Sequence, residues 1–186
     1  MRLENSFEVA APPERAWALL LDVPRVIPCM PGAELTEVVD EKNWKATMQV
    51  KLGPISLTFA TEVEQDEIDE TEHRVRLRAK ARELRGRGTG QATIESTLLA
   101  LDGGTRVNVV TNLSLAGAVA QYGRGIVEDV STQLVRRFAD CLAAQLSATP
   151  EEANSAVAIS SKPVRGLSLG LAALWRAVAR VVRRRR

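Results

Sequence analysis

The sequence predicts an α+β domain: a curved antiparallel sheet of about seven strands wrapped around one long C-terminal helix, with a separate amphipathic helix at the end. Three observations carry this reading. Apolar and polar residues alternate with period two through most of residues 44–115. A single apolar stripe at three- and four-residue steps then runs from Val119 to Leu146. Finally, charge is segregated. From Lys162 onward there are eight Lys or Arg and no acid, so the rest of the chain carries a net charge of −6 although the whole carries +2.

The first strand is set by Leu3, Asn5, Phe7 and Val9, which alternate with charged or small residues. Pro12 and Pro13 stop it, and Pro13 suits the first position of a helix because its missing N–H has no intrahelical partner there. Ala16, Trp17, Leu19, Leu20 and Val23 form the buried side of that helix, and a second short helix around Val23–Ile27 ends at Pro28.

Strands follow. Trp44, Ala46, Met48, Val50 and Leu52 share one face, opposite Lys45, Thr47, Gln49 and Lys51. Ile55, Leu57, Phe59, Thr61 and Val63 point inward after a Gly53-Pro54 break. His73, Val75, Leu77 and Ala79 face away from Arg74, Arg76, Arg78 and Lys80. Gly86, Gly88 and Gly90 precede a strand through Ala92 and Ile94. Val107, Val109, Thr111, Leu113 and Leu115 follow an Asp102-Gly103-Gly104 turn. One-face alternation of this kind describes a sheet with one covered and one wet side. A hairpin turning near Glu70 would set Glu62, Glu64 and Asp66 against Arg78, Arg76 and Arg74, so the arginine row reads as a cross-strand ion ladder. Nucleic-acid binding is disfavoured, since no aromatic residue is interleaved with it.

The long helix is expected from about Val119 to Leu146, long enough at 1.5 Å per residue to cross a sheet at about 40 Å. Gly117, Gly123 and Gly125 cluster at its head, where a glycine inside a helix costs about 1 kcal/mol relative to alanine. Cys29 and Cys141 lie far apart with no metal-type spacing; two thiols in a reducing cytoplasm are expected in preference to a disulfide. The N-terminus has no apolar signal core.

The stretches PCMPGAEL (28–35), VKLGPISLTF (50–59), GRGTGQATI (86–94), GTRVNVVTNLSLAGAVAQYGRG (104–125) and VRRFADCL (135–142) resemble the family of the carbon monoxide dehydrogenase G subunit, within the helix-grip superfamily of START and Bet v 1-like proteins. The likeness covers about residues 1–146. It implies an apolar cavity between sheet and helix. It further implies a non-catalytic accessory protein of an aerobic molybdenum-containing carbon monoxide dehydrogenase, one that binds menaquinone and couples the dehydrogenase to the membrane quinone pool. The glycines then leave room for a flat ring. Tyr122 and Gln121 would meet its edge, with Gly117, Gly123, Ile126 and Val130 on the helix side and Trp44, Met48, Leu57, Phe59, Val109 and Leu113 as walls. For each of these residues plain core packing is the competing reading. An assembly or recruitment factor without a ligand, or a lipid-binding or cyclase-like protein, are the competing functions.

Residues 147–163 are small, polar and proline-bounded, as expected of a flexible linker. In residues 164–186, Leu167, Leu171, Leu174, Val178 and Val182 line one side at helical spacing, with Trp175 close to that side, Arg176 and Arg180 on the other, and Arg183, Arg184, Arg185 and Arg186 at the end. Gly166–Val182 would span about 25 Å as a helix, short of the roughly 30 Å hydrocarbon layer and interrupted by two arginines. It reads as an anchor lying in the interface at the cytoplasmic face of the cell membrane. An acidic protein partner and nucleic acid are the alternatives, and the apolar side argues against nucleic acid.

Catalytic groups are sparse. His73 is the lone histidine, no metal-ligand cluster is recognisable, and GRGTG lacks the following Lys-Ser/Thr of a phosphate loop. Asp66, Glu67, Asp69, Glu70 and Glu72 read as a solvated hairpin tip without calcium-loop spacing.

Overall fold

The structure, a computed structural model, describes residues 1–52 and 55–147. Strand β1 (Arg2–Val9) is followed by helices α1 (Pro13–Leu21) and α2 (Val23–Val26) and a 3₁₀ turn at Ile27–Cys29. Pro12 caps α1 in an extended conformation and Pro13 opens it, as the sequence predicts. Six strands follow: β2 (Ala33–Val38), β3 (Asn43–Leu52), β4 (Ile55–Asp69), β5 (Arg74–Glu83), β6 (Gly88–Leu101) and β7 (Gly104–Gly117). A 3₁₀ turn at Ala118–Gln121 leads into helix α3 (Arg124–Ser147). The seven strands form one antiparallel sheet in the order β1-β7-β6-β5-β4-β3-β2, so the first strand closes against the last. This is the helix-grip arrangement of a single sheet around a C-terminal helix.

The larger cluster of buried apolar residues lies at one end of the grip. Val9, Val75, Leu98 and Val107 meet Trp17 of α1 and Leu142 and Leu146 of α3 there. Trp17 also donates its indole N–H to Glu70 at 3.1 Å and stands edge-on to His73, tying α1 to the β4–β5 tip. Asn5 Nδ2 donates to Ser131 Oγ at 3.0 Å and pins α3 to β1.

Three sequence expectations are corrected. The β4–β5 register differs: Glu62 lies opposite Lys80 and Glu64 opposite Arg78, and a bulge between Gln65 and Glu67 then sets Glu67 against Arg76 and Asp69 against Arg74. The tip is longer than expected because Asp69 Oδ1 accepts from the backbone N–H groups of Thr71 and Glu72 and from the Thr71 hydroxyl, and His73 adopts φ 44°. The ladder itself is present, with Arg78–Asp66 and Arg76–Glu67 both at 2.6 Å. Secondly, the long helix begins at Arg124 rather than Val119. Tyr122 is extended, and the Gly123 carbonyl accepts from Ile126 and Val127, so Gly123 precedes the helix and weakens no helix interior. Thirdly, Cys29 and Cys141 are disulfide-bonded: the turn after α2 and the last third of α3 come together with a Cα–Cα distance of 5.3 Å, within disulfide reach.

The expected linker (147–163) and basic amphipathic helix (164–186), with Leu167, Leu171, Leu174, Trp175, Val178 and the tail arginines, lie outside the described residues beyond Ser147. No helix among the described residues is long and apolar enough to cross a membrane.

Candidate ligand-binding hollow

The inner face of the sheet changes in burial along the strands. At the end packed by α1 and the last turns of α3, Trp44, Gln65, Val75, Leu98 and Val107 are all buried. At the opposite end Leu57, Glu83, Gly90 and Val119 are buried again. Between these limits lies a band of inward-facing residues that the fold leaves half-buried: Met48 on β3, Phe59, Thr61 and Val63 on β4, Leu77 and Ala79 on β5, Ala92 and Ile94 on β6, Val109 and Leu113 on β7. Register places them side by side: Met48 opposes Phe59, Val63 opposes Ala79, Ala79 opposes Ala92, and Ala92 opposes Leu113. The apolar residues on the facing part of α3, Val127, Val130, Leu134 and Phe138, are likewise half-buried, while Leu142 and Leu146 near its C-terminus are buried.

Half-buried apolar rows under a covering helix are what an incompletely filled interior leaves. Well-packed cores bring such side chains to near-zero exposure. Small residues deepen the band, since Ala79, Ala81, Ala92 and Gly90 occupy adjacent positions of β5 and β6. One polar atom is orphaned there: the Thr61 hydroxyl is buried and has no hydrogen-bond partner. An unmet buried hydroxyl is costly, and a ligand carbonyl would satisfy it.

The expected site residues divide. Met48, Phe59, Val109 and Leu113 lie in the band, and Val130 and Tyr122 are half-buried on the helix side. Trp44 is 4% exposed and packs with Val23 and Ile27 as core, and Leu57, at 1%, closes one end. Gln121, Gly117 and Gly123 are exposed, and Ile126 is 47% exposed in the first turn of α3. Gly117 has a different task from clearing space. It adopts φ 78° and ψ −156°, and a Cβ there would meet the Cα of Gly88 at 2.8 Å, so it lets β6 and β7 close tightly. Thr61, Val63, Leu77, Ala79, Ala92 and Ile94 were absent from the expected set. All follow the same inward alternation, which was the available signal.

Glu83 sits at the inner edge of this closed end. Burial pushes its carboxyl up, but the backbone N–H groups of Arg87 and Arg85, donating at 3.1 and 2.8 Å, outweigh that and hold it below the ordinary value. It is an internally satisfied anion that shapes the β5–β6 turn. Elsewhere, an open depression of about 470 Å³ on the outer face is lined by Asp66, Arg76, Arg78 and Glu95 of the ladder, and another of about 470 Å³ follows the seam between β1 and the first turns of α3. Neither includes the band. Among the described residues no group of His, Cys, Asp and Glu could hold a metal ion.

The family model for the G subunit of carbon monoxide dehydrogenase (CoxG) matches residues 6–147, from within β1 to the end of α3. The chain belongs to the CoxG family. Membership of that family points to an accessory role at a carbon monoxide dehydrogenase. No curated protein sequence matches the chain. Among solved structures, a conserved protein from Geobacillus kaustophilus is similar at 20% identity with a TM-score of 0.70, covering 79% of this chain and 95% of that one. The ZhuI aromatase/cyclase from Streptomyces sp. R1128 is similar at 15% identity with a TM-score of 0.56, covering 78% and 93%. Truncated norcoclaurine synthase from Thalictrum flavum is similar at 14% identity with a TM-score of 0.55, covering 80% and 94%. At these identities the likenesses establish that this CoxG-family chain shares the fold, and nothing of chemistry is carried across.

Proposed function

We propose that this CoxG-family protein is a non-catalytic accessory of a molybdenum-containing carbon monoxide dehydrogenase that holds a menaquinone between the sheet and α3 and links the dehydrogenase to the membrane quinone pool. The observation that carries the reading is the half-buried apolar band bounded by two closed ends. Its composition fits the ligand: Met48, Phe59, Leu77, Ile94, Val109 and Leu113 offer aliphatic and aromatic walls to a fused ring and its isoprenoid tail, and the orphaned Thr61 hydroxyl offers one hydrogen bond to a ring carbonyl. A bound quinone would supply reversible two-electron, two-proton chemistry. The chain's own residues bind the ring, exclude water from it and orient one carbonyl toward β4. The tail pattern of residues 164–186 would hold the protein at the cytoplasmic membrane face, and the family name supplies the partner.

The purified full chain, titrated with menaquinone in mild detergent, should show saturable quenching of tryptophan fluorescence, because Trp44 packs beside Val63 at the edge of the band. Lipid extraction of protein isolated from its host should yield a quinone mass. A non-saturable titration and an extract without quinone, from a protein that still co-purifies with the dehydrogenase, would leave a recruitment factor and remove the ligand role.

A further inference from the structure

In an antiparallel sheet successive hairpin turns fall at alternate ends. The β2–β3, β4–β5 and β6–β7 turns therefore share one end, and the β3–β4 and β5–β6 turns share the other with the β7–α3 connection. The two ends differ sharply in charge. At the first, Asp40, Glu41, Asp69, Glu70, Glu72 and Asp102 stand with Lys42 and with Arg74, which is paired with Asp69. At the second, Lys51, Arg82, Arg85, Arg87 and Arg124 stand with two acids: Glu83, which is buried and satisfied by the turn's own N–H groups, and Glu128, which is paired with Arg124.

Exposed aliphatic side chains occur at both ends; Val38, Val39, Ile68 and Leu99 stand toward the acidic turns, whereas the most exposed of all, Leu84, stands among cations at the basic end. Leu84, 60% exposed, projects from the β5–β6 turn between Arg82 and Arg85, and Ile126, 47% exposed, follows Arg124. Arg124 is paired with Glu128 at 2.6 Å, but Lys51, Arg82, Arg85 and Arg87 form no ion pair among the described residues. On the outer face of the sheet, by contrast, Arg74, Arg76 and Arg78 are each matched by acids. Unmatched cations around exposed aliphatic side chains, on a body that is otherwise acidic, complement an anionic lipid surface. The cations meet headgroups, and Leu84 and Ile126 enter the boundary beneath them.

We infer that the grip docks end-on to anionic bilayers through this rim, with Lys51, Arg82, Arg85 and Arg87 as headgroup contacts and Leu84 and Ile126 as inserting side chains, so that the acidic turns point away from the membrane. This rests on the membrane-accessory reading above but needs no quinone. The rim also lies beside the end of the hollow closed by Leu57 and Val119, the end nearest the bilayer in this pose.

The test uses the full chain with its disulfide intact, carrying one environment-sensitive fluorophore at Leu84→Cys or, as a control at the acidic end, at Thr71→Cys. Vesicles are quinone-free, either equal parts phosphatidylcholine and phosphatidylglycerol or phosphatidylcholine alone. The label at position 84 should shift to the blue with the anionic vesicles only, and the label at position 71 should not shift. Combining Arg82→Gln with Arg85→Gln should raise the lipid concentration at half-maximal shift about tenfold or more, on the order expected for two headgroup charges. Equal shifts at both positions, no shift at either, or a shift at 84 indifferent to the arginine changes would overturn the pose. A shift at 84 given by the dehydrogenase and not by lipid would assign the rim to a protein partner instead. Because the vesicles carry no quinone, failure of quinone binding leaves this outcome unaffected.

Discussion

Enlarging Ala92 tests whether the interior is open. Ala92 sits mid-strand on the inner face, with Ala79 beside it on β5 and Leu113 on β7, and it is half-buried. Ala92→Leu adds three carbons. Full burial would contribute about 0.8 kcal/mol for each, or about 2.4 kcal/mol. Because the position keeps part of its access to solvent, about 1 kcal/mol is the expected gain, equivalent to a rise in Tm of about 2–4 °C for a domain of this size. A solid core would respond in the opposite sense, since forcing methylenes into filled space costs about 1–3 kcal/mol. Thermal melts of the full chain, monitored by circular dichroism, give the sign. Menaquinone titration of the same variant should show affinity weakened about tenfold, because the new side chain occupies the ring's space. A fall in Tm of several degrees would refute the hollow, and a rise in Tm with undiminished quinone binding would place the ligand elsewhere.

Two glycines near the head of α3 should behave differently. Gly117→Ala should lose about 2–4 kcal/mol in urea denaturation, because its backbone lies in a region nearly restricted to glycine and a Cβ would press on Gly88. Gly123→Ala should change stability by no more than about 0.5 kcal/mol, since no atom lies within 4 Å of the added carbon; equal losses would contradict this account. Asp69 is held at about 2 by the Thr71 hydroxyl, the Glu72 N–H and Arg74. A carboxyl lowered on folding stabilises above its ordinary value of 3.8 and loses that contribution as pH falls toward 2. Asp69→Asn should therefore flatten the stability profile across that window while Asp40→Asn leaves its Asp69 component in place, and an unchanged slope in Asp69→Asn would remove the tip's role in acid sensitivity.

The sequence was most legible where one face of a strand is wet and the other covered. Lys45, Thr47, Gln49 and Lys51 against Trp44, Ala46 and Met48 leave no doubt of face on β3. Strand β2 was hard to read because AELTEV is an edge strand, mostly exposed, with a bulge between Leu35 and Glu37 that breaks its period. Charge pairing indicated a ladder but missed its register, because opposed charges tolerate a two-residue slip and the Asp69 turn decides the offset. The head of α3 misled through periodicity: Val119 has the right spacing for the helix face but fills space over Gly88 from a 3₁₀ turn, donating its N–H to Arg87 at 3.1 Å. Met48, Phe59, Val109 and Leu113 were legible as inward residues, whereas which inward residues stay accessible depends on where α1 and α3 end, and that is a property of packing between distant segments. The bond between residues 29 and 141 is likewise a product of the fold, because 112 residues of separation predict nothing about their meeting.

That bond makes the chain a covalent ring with a short free arm ahead of it. Strands β2 through β7 all lie inside the ring, whereas β1, α1 and α2 lie on the arm ahead of Cys29. Heating the oxidised protein therefore unravels a lasso and not an open thread, and the denatured loop retains much less freedom than a linear chain of the same length. The arm has no such tether. Its β1 reaches β7 by the short way round, through the bond and the 24 residues from Cys141 back to Gly117, and the seam that completes the sheet is the one strand pairing formed between the arm and the ring.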